Sequence, residues 1–351
     1  MSALNIKRAE QLAKNIVLAQ GNIFIKELLR EKKITIGATK ADFERNMQTA
    51  IADGKLNLDD LRRWLADVEG WGHQHVYLYK VPEDVAGKTI WSSRARLKRK
   101  IEGAKLGKFW EADSSLAFPD KRELTGIYYQ KELRGNGEQG GSLRFEWHTG
   151  LTSWMREPDK DEENKVIESD RYWLKAYRER RDRAVMRFEI RPGQGLAAAF
   201  IQTPWSKKAH HDALDEIREK ITPVLKLSDL TEYSSAKAIK ALDRKAATQS
   251  KGEIKVRAVR TRLNDGRAYV EFAGPNGVYK SSNAVLEVRQ AVNMASFSGN
   301  TGIYLCSVRR PKGASPKIKI ELFGETRRIR IRAQLGAGAV WDLLGTLKGL
   351  G

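Results

Sequence analysis

The apolar residues of this chain change period near position 73, and that change limits what it can fold into more than any other feature. Before that point the period is helical. Ile6, Ala9, Leu12, Ala13, Ile16 and Val17 recur every three or four residues, which places them on one helix face, and Gly21 is a stop. A second short helix runs through Ile23, Ile25, Leu28 and Leu29. Thr39 precedes a third, striped by Phe43, Met47, Ala50 and Ile51 and ended by Gly54. Asn57 caps a fourth, with Asp59 and Asp60 in the first turn, where the helix dipole favours negative charge. Its stripe is Leu61, Trp64, Leu65 and Val68.

Beyond residue 73 strand signals dominate. Residues 76–79 read as a strand. Residues 124–133 and 143–148 read as a hairpin around the loop of Gly135, Gly137, Gly140 and Gly141. The acidic tract 157–163 reads as a loop, and 172–177, 185–190 and 196–201 as strands. A helix bearing Ala209, Ala213, Leu214, Ile217 and Ile221 follows, and it stops before Pro223. Further on, 253–263 and 267–273 flank Asp265-Gly266, the strongest hairpin signal in the chain. Strands at 303–308, 318–323 and 328–332, and helices at 234–247, 284–291 and 339–347, complete the pattern. The expected fold is α+β: a helical N-terminal module (1–72), then two α+β domains (73–225 and 226–351) with mainly antiparallel sheets. The peptides Arg187–Arg191 and Arg328–Arg332 each alternate and each precede a Gly-x-Gly turn, which hints at duplication.

Charge narrows the function. The 351 residues carry 64 Lys and Arg against 44 Asp and Glu, a net +20. The excess is concentrated: residues 251–351 hold 18 basic against 7 acidic residues, whereas residues 101–250 hold 27 against 25. Residues 88–108 add eight basic groups against Glu102 alone. This is the footprint of a polyanion binder. In the final strands Arg328, Arg330 and Arg332 share one face, while Ile329 and Ile331 point into a core. Lys317 and Lys319 alternate with Ile318 and Ile320 in the same way, and Lys255 and Arg257 with Ile254 and Val256. Same-face residues are about 6.5–7 Å apart, close to the phosphate spacing of a nucleic-acid strand. The helix-like run with Arg94, Arg96, Lys98, Arg99 and Lys100 extends the candidate interface.

The expected activity is therefore non-catalytic, sequence-nonspecific binding of a DNA or RNA backbone by a basic sheet face. Two alternatives stay open. One is an adaptor or scaffold docking an acidic protein, as in a bacterial defence system. The other is a metal-dependent nuclease, for which Asp243 followed by Glu253-Ile254-Lys255 gives a partial outline. No cofactor or metal is expected. Cys306 is the single cysteine, so there is neither an internal disulfide nor a thiolate zinc cage. His73 and His75 lack a third ligand, and His210-His211-Asp212 reads as a solvated helix surface. The Gly336-Ala337-Gly338 turn has Trp341 where a dinucleotide fingerprint needs its third glycine. No segment reaches the roughly 18–20 apolar residues that span a bilayer, so a cytoplasmic protein is expected. A homo-oligomer is compatible with the sequence.

Overall fold

The computed structural model describes residues 3–19, 22–69, 74–112, 121–133, 139–156, 160–202, 207–248, 254–262, 268–272, 301–307, 317–332 and 336–351. The first four helices are α1 (Ala3–Ala19), α2 (Asn22–Glu31), α3 (Lys40–Ala52) and α4 (Leu58–Glu69). Polar caps set where two of them start. The Thr39 side chain accepts from the Asp42 backbone N–H, and the Asp42 carboxylate accepts from the Thr39 N–H at 3.0 Å, a reciprocal capping box. Asn57 and Asp60 repeat the arrangement at α4, with distances of 2.9 and 3.3 Å. The apolar stripes of α1, α3 and α4 meet in a core of their own, built on Ile16, Phe43, Met47 and Leu61.

The strands are β1 (Gln74–Lys80), β2 (Glu123–Leu133), β3 (Gln139–Arg156), β4 (Glu162–Ile167), β5 (Asp170–Leu174), β6 (Tyr177–Arg191), β7 (Leu196–Gln202), β8 (Thr231–Glu232), β9 (Ile254–Arg262), β10 (Ala268–Phe272), β11 (Thr301–Ser307), β12 (Lys317–Phe323) and β13 (Arg328–Ile331). All but β4 and β5 belong to one sheet, ordered β10-β9-β11-β12-β13-β1-β7-β6-β3-β2, with β8 paired to the end of β1. Every named pair is antiparallel, and the fold is α+β. Both expected hairpins form: β2 pairs with β3, and β9 with β10 across residues 263–267. The helix expected at 284–291 lies outside the described residues. The acidic tract is not wholly a loop, because β4 begins at Glu162 and forms a separate two-stranded sheet with β5.

β1 is the join. It pairs with β7 on one side and β13 on the other, so strands from 73–225 and from 226–351 share one sheet. One face of that sheet carries Val76, Phe200, Ile320, Leu322, Ile329 and Ile331. It packs against α8 (Ser235–Thr248) and α9 (Ala337–Lys348) through Ile239, Leu242, Trp341 and Leu344. The opposite face carries Phe145, Trp147, Phe188, Ala199 and Ile201. It is covered by α6 (Arg94–Gly103) and α7 (Lys207–Ile221) through Leu97, Ile101, Ala213, Ile217 and Ile221, with the short α5 (Glu83–Ala86) at its margin. The two similar peptides are not equivalent in this topology. Arg187–Arg191 ends β6 and leads into β7, whereas β13 leads into α9. Among the described residues no helix is long and apolar enough to cross a membrane.

Candidate functional site

Alternation in β13 places its cations. Ile329 and Ile331 are buried in the α8–α9 core, so Arg328 and Arg330 emerge on the other face, half-buried, and Arg332 beyond them is exposed. Register then brings partners to them from β12 and β1. Directly opposed residues of an antiparallel pair lie on the same face. Phe323, Arg328 and Tyr77 therefore form one row, and Glu321, Arg330 and His75 the next. The Arg332 backbone N–H donates to the Lys319 carbonyl at 3.1 Å, which puts the half-buried Lys319 beside it.

Among the described residues, a single carboxylate serves this cluster. Glu321 is only 5% exposed, and it holds Arg332 Nε at 2.6 Å and a terminal nitrogen of Arg330 at 3.5 Å. Arg328 has no carboxylate within pairing distance among the described residues. Its guanidinium lies 4.1 Å from the centroid of the Phe323 ring, a cation–π contact that half-buries it. Lys319 likewise has no carboxylate partner among the described residues. The row thus keeps a net positive charge after its internal pairing.

Two imidazoles complete the floor. His210, early in α7, packs edge-on against His75 with ring centroids 4.5 Å apart, and lies 6.1 Å from Tyr77. The expectation of a solvated His210 fails, since the residue is 4% exposed. A signal was present: His210 falls in phase with Ala213, Ile217 and Ile221 on the buried helix face. Burial holds the His75 pKa down at about 3, helped by His210 and by Arg328, Arg330 and Arg332. Burial and Arg328 hold His210 at about 4. Both rings are neutral at neutral pH, and the Nδ1 of each is buried with no hydrogen-bond partner among the described residues.

The second predicted basic group sits on the same side of the sheet. Leu97 and Ile101 anchor α6 in the core with Phe145 and Phe188. The row through Phe145, Phe188, Ala199, Tyr77 and Arg328 is continuous. Arg94, Arg96, Lys98, Arg99 and Lys100 are all exposed. Arg94 pairs with Glu111 and Lys98 with Glu102 at 3.7 Å, while Arg96 donates to the Thr89 carbonyl. α7 stands between α6 and β13, so the two groups share a side without merging. For Lys255, Arg257 and Lys317 only the backbone is described. Lys255 is paired with Leu305, which is paired with Lys319, so these three fall in one row; Arg257 falls at a register shift.

On the sheet's other face, sequence reasoning missed a buried polar network. Glu146 forms an ion pair with Arg187 Nε at 3.0 Å and contacts His148 Nε2 at 3.1 Å, while Thr125 Oγ1 lies 2.8 Å from His148 Nδ1. Burial alone would raise the Glu146 pKa, but Arg187, His148 and Arg144 overcome it and hold the carboxyl far below the usual range. As for metal chemistry, no group of three or more candidate ligands occurs among the described residues. His73 and Glu253 lie outside them, as does the side chain of Asp243. No protein-family model matches this chain, and no curated protein matches it either.

Proposed function

We propose that this protein binds the phosphate backbone of nucleic acid, without reading sequence and without catalysis, through the face formed by β12 and β13. One observation carries the reading: among the described residues, Lys319, Arg328, Arg330 and Arg332 stand together on that face against the single carboxylate of Glu321. Guanidinium forks suit phosphate because they offer two parallel donors to one group. The apolar backs of the strands, locked into the α8–α9 core, hold that spacing rigid. The exposed cations of α6 lie on the same side and lengthen the track past α7.

The test is a salt titration. With about four phosphates engaged, log K for duplex DNA falls against log[salt] with a slope near −3.6. Replacing Arg330 and Arg332 together by Gln lowers affinity by roughly tenfold or more and flattens the slope by about two. An affinity that ignores salt, or one left intact in that double variant, ends the proposal. So does a protein that ignores DNA and RNA but binds polyglutamate, which would mark the face as a dock for an acidic protein.

A further inference from the structure

Next to Tyr79, at the Arg327 end of β13, the surface opens into a cleft of about 790 Å³. Its walls come from parts of the chain far apart in sequence. Arg218 lies in the last turn of α7, Lys226 follows that helix, Glu232 ends β8, and Arg327 precedes β13. Leu227 and Leu230, both nearly buried, add an apolar wall. The size falls in the range of small-molecule sites, which combine apolar walls with a few convergent polar groups.

The lining selects for an anion. Among the described residues that line it, three are cations and one is a carboxylate. Arg327 pairs with Glu232, and Arg218 with Asp215 at 2.6 Å. Both pairs are more than half exposed, so they exchange readily and leave most guanidinium donors free for a ligand. Lys226 is exposed and has no carboxylate partner among the described residues. The Tyr79 phenol is pushed up by burial, with Arg218 and Arg327 near enough to oppose the shift, so its hydroxyl stays a donor at neutral pH.

We infer that this cleft binds the terminal phosphate of a nucleotide, with the phosphate held by Arg218, Lys226 and Arg327 and the attached ring against Leu227, Leu230 and Tyr79. Two guanidinium forks and an ammonium converging on one space suit a multiply charged tetrahedral group better than a planar carboxylate. The inference does not depend on backbone binding by the sheet face. The nucleotide can be free, or it can be the end of a polynucleotide, since Arg327 adjoins Arg328 in the chain.

Isothermal titration of the full chain with ATP, with pyrophosphate, and with short oligonucleotides bearing a 5′-phosphate or a 5′-hydroxyl tests it. ATP and pyrophosphate should bind one per chain and compete with each other. Arg218→Glu and Lys226→Glu, both at exposed positions, should each weaken binding by about tenfold or more. Arg332→Gln should leave ATP binding unchanged, which separates this site from the sheet face. Tighter binding of the 5′-phosphorylated oligonucleotide, lost in Lys226→Glu, would identify the chain end as the source of the phosphate. Equal affinity for the two oligonucleotides, with ATP still bound, would identify the free nucleotide. The inference fails if neither ATP nor pyrophosphate saturates by roughly millimolar concentration and the two oligonucleotides bind equally. It fails equally if binding survives both charge reversals in protein whose circular dichroism is unchanged.

Discussion

Single residues here carry charge into places where water does not screen it. Arg187 is 1% exposed and faces Glu146, so removing one partner strands the other. Arg187→Met should destabilise the protein by roughly 3–5 kcal/mol in a denaturant titration, and Glu146→Leu added to it should recover part of that loss. His75 and His210 predict a pH dependence of fixed sign. Their folded pKa values, about 3 and about 4, lie below the ordinary 6.5. Between those limits the unfolded chain binds more protons than the folded one. Stability is therefore fully present above about pH 6.5 and falls as the pH drops through the window, by up to roughly 1.4 kcal/mol per unit for each ring. Unfolding measured from pH 7 to pH 4.5 should show this decline, and His210→Gln should flatten it. The helical phase of His210 marked its buried face, but the partners of neither histidine could be read locally. The ring that packs on His75 comes from a helix more than a hundred residues away, and only register opposes His75 to Arg330.

At the scale of elements, β13 shows how far a pattern reaches. Alternation of Arg and Ile states which residues share a face, because strand geometry has period two regardless of context. It is silent on the cross-strand partner, since Glu321 arrives only when β12 pairs with β13 in one particular register. The consequence is testable. Glu321→Gln removes the carboxylate from beneath Arg330 and Arg332, so the polyanion salt slope should steepen by about one while thermal stability falls. The hairpin of β4 and β5 carried a weaker signal. Glu168 and Ser169 both take positive φ, 50° and 75°, the turn that asparagine and glycine usually mark. Gly195, by contrast, sits where a turn signal was legible. It has φ 62°, and an added Cβ would meet the Lys348 ammonium nitrogen at 2.5 Å. Gly195→Ala should therefore cost about 1 kcal/mol or more of stability in thermal unfolding.

In the molecule as a whole, β1 ties the sheet together. Val76 lies in the core between Phe200 of β7 and Ile329 of β13, opposite both in register. Val76→Ala should lower hydrogen-exchange protection in β7 and β13 together, whereas loss confined to one side would mean that the strands open independently. Local patterns were enough for a helical start, strands afterwards, capped helix entries at Thr39 and Asn57, and the sidedness of Arg328, Arg330 and Arg332. Those properties depend on backbone periods and on neighbours a few residues away. Long-range packing alone places α6 and β13 on one side of a common sheet with α7 between them, sets His210 against His75, and brings Arg218, Lys226 and Arg327 to one cleft. These are juxtapositions of residues distant along the chain. They follow from the strand order and from which face each helix covers, and a one-dimensional pattern carries neither.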